Sequence, residues 1–417
     1  MIKILFCAAL FLVSAAAPAE DRHRCRVIRL ASLPIEFTRL QPTLHAKFNG
    51  VDLRLVMDSG AESTVLLPSA VDKAGLRLVH SNRVSVGVGG KSQSYIAYAD
   101  RVEIGPSHGE GVAFLEAVDA HIGADGLLGA DYLFRTDLEL QLRDNQAIFV
   151  HADGECDDKP LAYWDKDAFW VDTHDAGGED RRQQAEVRIN GHRFTALLDS
   201  GAQRSVLDLD AAARIGLTPD SAGTRANGQS AGVGAETVST WNAPIDSFEI
   251  GDEVIRKTHL QISDLWGAAR LGAGPRVDLS SQPDMLLGAD FMRAHRLLFA
   301  RSQRRLYFTY LGGPIFQLAP SQAELATQTA HYREGAERNS AADMLALAQA
   351  LALGRGVGKD PVEAYKWLLI ASRGGWADSH PGFREAVNRE IAPLLTELDK
   401  NGQAEAKGRA DSWTAPQ

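Results

Sequence analysis

The chain has 417 residues, of which 45% are hydrophobic and 24% are charged, and its formal net charge is −10. This length gives room for two or three domains, each with a core of its own. The acidic balance gives the surface no electrostatic attraction for nucleic acid or anionic lipid, so we expect neither as a partner.

The first 19 residues have the pattern of a secretory signal peptide. One positive charge, Lys3, precedes a short apolar run, and Ala17-Pro18-Ala19 supplies a small-residue cleavage pattern. Because the run is too short for a membrane span, we predict that residues 1–19 are removed and that the protein is exported, to the periplasm or outside the cell. No membrane span is then expected in the mature chain. A retained N-terminal anchor is the alternative.

Two segments of the chain then repeat one pattern of elements. Each has an Asn-Gly pair, at 49–50 and 190–191, which is typical of a tight hairpin turn. A strand with alternating apolar residues follows, and it ends in the tetrapeptide Asp-Ser-Gly-Ala, at 58–61 and 199–202. A short helix-like stretch ending in Gly-Leu comes next in both copies.

The downstream features agree in the same order. Each copy has a Gly-rich turn between two strands, then a Leu-Leu-Gly triplet, at 127–129 and 286–288, and then a closing hairpin. So many matched offsets indicate an internal duplication, with units at residues 26–151 and 160–312 joined by a polar link. We call these units lobe 1 and lobe 2.

The duplicated aspartates suggest a shared reaction centre. A single aspartate in a turn usually caps a helix or bonds its own backbone. Two copies related by a two-fold axis can instead bring Asp58 and Asp199 face to face, where they share one proton. Such a pair, here called the dyad, can activate water with one carboxylate and polarise a carbonyl with the other. The residues expected to support it, through hydroxyl bonds and close backbone approach, are Ser59, Gly60, Ser200 and Gly201.

With both Asp-Ser-Gly-Ala elements followed by an apolar-apolar-Gly element, the chain resembles the retropepsin-like aspartic proteases over about residues 26–312. The resemblance implies a mainly β fold: two tandem retropepsin-like acid-protease β-barrel lobes form a pseudo-two-fold unit, which a small C-terminal α-helical segment follows. It also implies an aspartic endopeptidase that hydrolyses peptide or protein substrates, with Asp58 and Asp199 as the catalytic pair. The residues implied as substrate-binding flaps are Val88, Gly89, Gly90, Val233, Gly234 and Ala235. Two alternatives stay open, a weakly active or inactive peptide-binding protein on the same fold and pairing of lobes between chains.

Other chemistries have little support in the sequence. The histidines and cysteines show no metal-ligand spacing, so we expect neither a metal nor a cofactor. The segment "SVGVGGKS" nearly matches a phosphate-binding loop, but Ser85 replaces its first glycine and a strand pattern follows it. Cys25 and Cys156 flank lobe 1, and they can form one disulfide or remain two free thiols.

After Pro320 the composition becomes rich in alanine and leucine. Residues 320–417 resemble a Sel-one-like helical repeat of the tetratricopeptide type, with Asp360 placed to cap a helix that begins at Pro361. One visible repeat cannot bury a continuous core by itself. We therefore expect this segment either to pack against the lobes or to bind a protein partner, with Trp367 and Trp376 as core residues.

Overall fold

The structure is a computed structural model that describes residues 24–38, 40–81, 84–118, 122–267, 282–316, 322–373 and 381–414. The predicted signal peptide and Trp376 lie outside the described residues. The two lobes are built almost entirely of strands, and the helical segment follows them, so the predicted mainly β fold is confirmed.

Lobe 1 contains the strands β1 to β12 and two short helices. The strands are β1 (Arg26–Pro34), β2 (Glu36–Thr38), β3 (Gln41–Phe48), β4 (Val51–Met57), β5 (Val65–Leu66), β6 (Arg77–Val79), β7 (Val84–Gly87), β8 (Gly90–Ile104), β9 (Ser107–Ala117), β10 (Gly126–Leu128), β11 (Asp137–Gln141) and β12 (Gln146–Asp153). The helices are α1 (Pro68–Lys73) and α2 (Ala130–Leu133).

Lobe 2 repeats this order. Its strands are β13 (Phe169–Gly177), β14 (Asp180–Ile189), β15 (His192–Leu198), β16 (Val206–Asp208), β17 (Arg225–Ser230), β18 (Val238–Ile250), β19 (Glu253–Ser263), β20 (Met285–Leu287), β21 (His295–Ala300) and β22 (Arg305–Tyr310). Its helices are α3 (Leu209–Ala213) and α4 (Ala289–Met292).

The predicted Asn-Gly turns are confirmed in both lobes. Asn49 and Gly50 have φ of 49° and 82°, and Asn190 and Gly191 have φ of 50° and 79°. Two successive residues with positive φ give the turn whose twist matches that of the flanking strands. The turns join β3 to β4 and β14 to β15, and the inward faces of these hairpins lie in the main core.

One continuous sheet joins the lobes. Its strand order begins β1-β12-β11-β21-β22-β13, which is symmetric about the β11–β21 pair, and then continues through the strands of lobe 2. β11 and β21 are antiparallel, with Leu138 opposite Phe299. The fully buried Glu139 of β11 pairs with Arg296 of β21 at 2.6 Å. The two copies therefore pair within one chain.

The link between the lobes covers one face of this sheet. Cys156 of the link, with Leu161 and Ala162 at the start of lobe 2, is buried against Ile148 and Leu298 of the joining strands. Cys25 and Cys156 form a disulfide, with their Cα atoms 4.8 Å apart, which settles the alternative that the sequence left open. The bond ties the start of β1 to the link, so it anchors the outer strand of the joining sheet.

The C-terminal segment forms helices α5 (Gln322–Glu337), α6 (Ala341–Leu353), α7 (Pro361–Arg373), α8 (Pro381–Glu397) and α9 (Lys400–Asp411). They enclose a separate apolar core in which Trp367 is 2% exposed. Asp360 caps α7 as predicted, accepting a hydrogen bond from the Glu363 N–H at 2.9 Å.

These helices also contact lobe 1. The guanidinium of Arg54 on β4 bonds the imidazole of His331 on α5. This contact agrees with the expected packing against the lobes, while the partner-binding role stays a prediction. Among the described helices, none has both the length and the apolar character that a membrane crossing requires.

Candidate active site

The same strand arrangement positions both aspartates. β4 and β10 run parallel, as do β15 and β20, and each aspartate follows directly after its strand. The Asp58 N–H donates to the Leu128 carbonyl at 2.9 Å, and the Asp199 N–H donates to the Leu287 carbonyl at 3.0 Å. The Leu-Leu-Gly triplets thus supply the strands that end beneath the aspartate loops.

Two further carboxylates hold the loops that follow the dyad. Asp131 at the start of α2 accepts hydrogen bonds from the backbone and hydroxyl of Thr64, at 2.9 and 2.7 Å. Asp290 at the start of α4 accepts the equivalent pair from Ser205, at 2.8 and 2.6 Å. The "AD" that follows each Leu-Leu-Gly triplet therefore serves to position the loop, a role that the sequence analysis missed.

Ser59 and Ser200 form a reciprocal pair of bonds across the lobe interface. The Ser59 hydroxyl donates to the Leu198 carbonyl at 2.7 Å and accepts from the Ser200 N–H at 2.8 Å. The Ser200 hydroxyl donates to the Met57 carbonyl at 2.6 Å and accepts from the Ser59 N–H at 3.1 Å. Both side chains are buried, so these bonds fix one aspartate loop against the other.

The glycines of the two loops leave room for the opposite carboxyl group. A Cβ on Gly60 would lie 2.3 Å from Cγ of Asp199, and one on Gly201 would lie 2.2 Å from Cγ of Asp58. No side chain fits at such distances. The close approach of each backbone to the other aspartate therefore requires glycine at both positions.

Each aspartate carboxyl group lies against the loop of the other, close enough that the ionisation of one affects the pKa of its partner. Burial raises the pKa of Asp58 well above its usual value, and the nearby charge of Asp199 and the bond to it raise that pKa further. Burial also raises the pKa of Asp199, but the N–H of Ala202, the bond from Asp58, the N–H of Gly201 and the charge of Arg182 oppose that rise. Asp58 receives the equivalent bonds from the N–H groups of Gly60 and Ala61, whereas the charge of Arg182 acts on Asp199 and favours its ionised form. The two carboxyl groups titrate as one coupled pair.

A family model for aspartyl proteases matches the chain twice, at residues 44–132 and 185–291. Each match contains one aspartate of the dyad and ends at the helix that follows the Leu-Leu-Gly triplet. The protein has the two-lobed fold of the aspartyl proteases. No curated protein matches the chain.

Each lobe carries one of the two predicted flap turns, and the two turns meet at their tips. Val88, Gly89 and Gly90 lie at the turn between β7 and β8, and Val233, Gly234 and Ala235 lie between β17 and β18. The Gly89 N–H donates to the Val233 carbonyl at 2.9 Å, and the Glu236 N–H donates to the Gly89 carbonyl at 3.0 Å. Ala235 is exposed.

Each flap tip also reaches the opposite lobe. Val88 packs against an apolar cluster of lobe 2 that includes Leu197 and Trp266. Val233 packs against an apolar cluster of lobe 1 that includes Val56 and Ile122. The two clusters also include Ala61 and Ala202 of the aspartate loops, so each flap tip packs on the same cluster as the aspartate loop of the opposite lobe.

The two lobes differ at one pair of equivalent positions that the sequence analysis missed. Gln41 and Arg182 stand at the same offset before their aspartates. The Gln41 amide donates to the Gly201 carbonyl, whereas Arg182 is held by Asp180 at 2.6 Å and interacts electrostatically with Glu62 and Asp199. Extending the alignment of the two copies upstream of the Asn-Gly pairs would have revealed this difference. Among the described residues, no group of three or more histidine, cysteine or acidic side chains could hold a metal ion.

Proposed function

We propose that the protein is an exported aspartic endopeptidase in which Asp58 and Asp199 activate one water molecule. The close approach of the two buried carboxyl groups carries this proposal, because shared protonation is what the chemistry requires. The matched aspartyl protease segments and the flaps on both lobes support it.

The unequal environments of the two carboxyl groups assign their roles. Asp199, whose ionised form the charge of Arg182 favours, accepts a proton from the attacking water as the new bond from water oxygen to the carbonyl carbon forms. Asp58 donates its proton to the carbonyl oxygen, which becomes a hydroxyl of the tetrahedral intermediate. The intermediate then collapses: Asp199 gives its proton to the leaving nitrogen as the carbon–nitrogen bond breaks, and one hydroxyl of the intermediate returns a proton to Asp58 as the carbonyl re-forms.

The walls beside the dyad indicate which side chains the scissile bond joins. The lobe 1 cluster with Val56 and the lobe 2 cluster with Leu197 are apolar, and the flap valines complete them. Burial of apolar side chains there supplies binding energy on both sides of the reacting carbonyl. We therefore expect cleavage between apolar residues.

Export is part of the proposal. Residues 1–19 have the signal-peptide pattern, and a disulfide between Cys25 and Cys156 is typical of an oxidising compartment. Fractionation of cells that express the full-length chain tests this point. A mature protein outside the cytoplasm that begins after Ala19 is expected, whereas an unprocessed cytoplasmic chain would contradict it.

The activity is tested by casein cleavage over about pH 3 to 8. Wild type is compared with Asp58→Asn, Asp199→Asn and, as a control for the same chemical change, Asp246→Asn at an exposed position. We expect wild type and the control variant to cleave casein, and both dyad variants to have lost this activity. A statine-type transition-state analogue should inhibit the cleavage by wild type. Its pH range is expected to be bounded by ionisation of Asp58 on the alkaline side and protonation of Asp199 on the acid side.

Two results would contradict the proposal. Cleavage that survives both dyad substitutions would show that another centre acts. A wild type that cleaves no protein or peptide at any pH would favour the alternative of an inactive peptide-binding protein on this fold.

A further inference from the structure

A cavity of about 280 Å³ lies between the two lobes, next to the loop that carries Asp199. Leu40 and Gln203 form part of its wall. Leu40 precedes Gln41, whose amide bonds the Gly201 carbonyl, and Gln203 follows Ala202, whose N–H bonds the Asp199 carboxylate at 2.9 Å. Leu40 and Gln203 are therefore sequence neighbours of two residues that bond the loop of Asp199.

Positive charge dominates this cavity. Arg143, Arg204 and Arg293 line it, against one acidic lining residue, Asp290. We call it the arginine cavity. Arg143 donates to the backbone carbonyls of Leu311 and Gly312, and these bonds leave its charge uncompensated. Its excess of arginine over aspartate gives the cavity a net positive potential within a chain whose overall charge is negative.

The arginines are held in defined positions. The guanidinium of Arg293 lies 5.0 Å from the ring centre of Phe37, and Arg204 interacts with the carboxylate of Asp290, which Ser205 fixes through two hydrogen bonds. A guanidinium that is already oriented loses little conformational freedom when it binds a carboxylate.

The duplication does not repeat the charge that lobe 2 contributes to this cavity. The positions of lobe 1 that correspond to Gln203, Arg204 and Arg293 hold Glu62, Ser63 and Phe134. The lobe 1 equivalent of Asp290 is the aspartate at position 131, which holds its loop in the same way. The fold therefore requires the aspartate in both lobes, whereas Arg204 and Arg293 occur in lobe 2 without an arginine at the equivalent positions of lobe 1.

We propose that the arginine cavity is an outer substrate subsite that binds an acidic side chain of the peptide lying in the cleft. The inference rests on the proposed function, since it gives the substrate class of the same cleft. The subsite and the apolar clusters near the dyad together define the substrate. Its residues at the scissile bond are apolar, and a glutamate or aspartate lies further out on one side only.

The test measures peptide binding to the full chain with Asp58→Asn, so that no cleavage occurs. Fluorescein-labelled peptides carry two apolar residues at the centre and glutamate at successive positions outward on either side. Matched peptides carry glutamine instead. For one position, on one side of the centre, fluorescence anisotropy is expected to give a Kd about tenfold lower for glutamate than for glutamine, as one charge-assisted hydrogen bond provides.

Variants then assign the preference to the cavity. Arg143→Gln, Arg204→Gln and Arg293→Gln, each added to Asp58→Asn, are expected to bring the ratio of the two dissociation constants toward one. Arg135→Gln is the control, because Arg135 lies over the ring of Tyr132 in the way that Arg293 lies over the ring of Phe37, but Arg135 does not line the cavity. The ratio should also fall as salt is added, since it arises from charge.

The outcomes separate this inference from the proposed function. Equal binding of glutamate and glutamine peptides at every position, no binding of any peptide, or a preference that survives all three cavity substitutions would overturn the subsite. A measured preference in the Asp58→Asn chain, together with a wild type that cleaves none of the peptides, would keep the subsite and reject the protease. Cleavage of both peptide series at equal kcat/KM would keep the protease and reject the subsite.

Discussion

The reciprocal serine bonds allow a worked prediction of how strongly the lobes are joined at the dyad. Ser200→Ala removes one hydroxyl that donates to the Met57 carbonyl at 2.6 Å and accepts from the Ser59 N–H at 3.1 Å. Ser200 is 1% exposed, so water cannot replace the lost partner. Each orphaned buried group costs about 1–3 kcal/mol, and two such groups give a loss of about 3 kcal/mol from the free energy of unfolding.

The assay is urea unfolding followed by tryptophan fluorescence, at a pH near neutrality. Ser200→Thr keeps the hydroxyl and serves as the matched control, so it should retain most of the stability. Ser59→Ala removes the equivalent bonds to Leu198 and Ser200, and pseudo-symmetry predicts a similar cost. A loss below about 0.5 kcal/mol in Ser200→Ala, or an equal loss in Ser200→Thr, would refute the reasoning, because the hydroxyl bonds would then contribute nothing net.

Three further predictions concern the flaps and two titrating groups. Gly234 has φ of 108°, and a Cβ there would lie 2.1 Å from the Gly89 carbonyl carbon. Gly234→Ala should therefore separate the flap tips and speed hydrogen exchange at the Gly89 amide. Gly232→Ala should not, because a Cβ there would lie 3.6 Å from its nearest neighbour. Equal protection of the Gly89 amide in both variants would contradict this prediction. Burial and the charge of Asp72 raise the pKa of Glu116 to about 7, so the stability that its protonated form provides is present below its ordinary pKa and is lost as pH rises through 7. Glu116→Gln should then gain about 3 kcal/mol over wild type at about pH 8 and little at about pH 4, and a gain that does not change with pH would refute it. Burial and Arg54 lower the pKa of His331, so the contact between α5 and lobe 1 is present near neutrality and weakens as pH falls through that pKa. Small-angle scattering should show expansion at about pH 5 in wild type but not in His331→Gln, which cannot gain a proton, and expansion of both chains alike would rule out this group.

Sequence patterns were sufficient for features that depend on neighbouring residues. The Asn-Gly turns predicted the hairpins, because two adjacent residues with positive φ favour those residue types. The repeated Asp-Ser-Gly-Ala predicted two equivalent loops, and the structure brings their aspartates into contact. The catalytic role of that contact stays a prediction until the casein assay.

Features that depend on distant parts of the chain were not accessible in the same way. The pairing of Cys25 with Cys156 requires the ends of lobe 1 to meet, which the order of β1 and β12 in the sheet decides. The contact of Gly89 with Val233 depends on the relative placement of two whole lobes. The arginine cavity joins strands, loops and the residues after β22, so no local pattern marks it.

The pairing of β11 with β21 has a consequence for how the reaction centre depends on protein concentration. In a protease assembled from two separate identical chains, dilution separates the subunits and destroys the dyad. Here both strands belong to one chain, so Asp58 meets Asp199 at an effective concentration that dilution of the protein does not change. The fraction of molecules with a complete dyad is therefore the same in a very dilute solution as in a concentrated one.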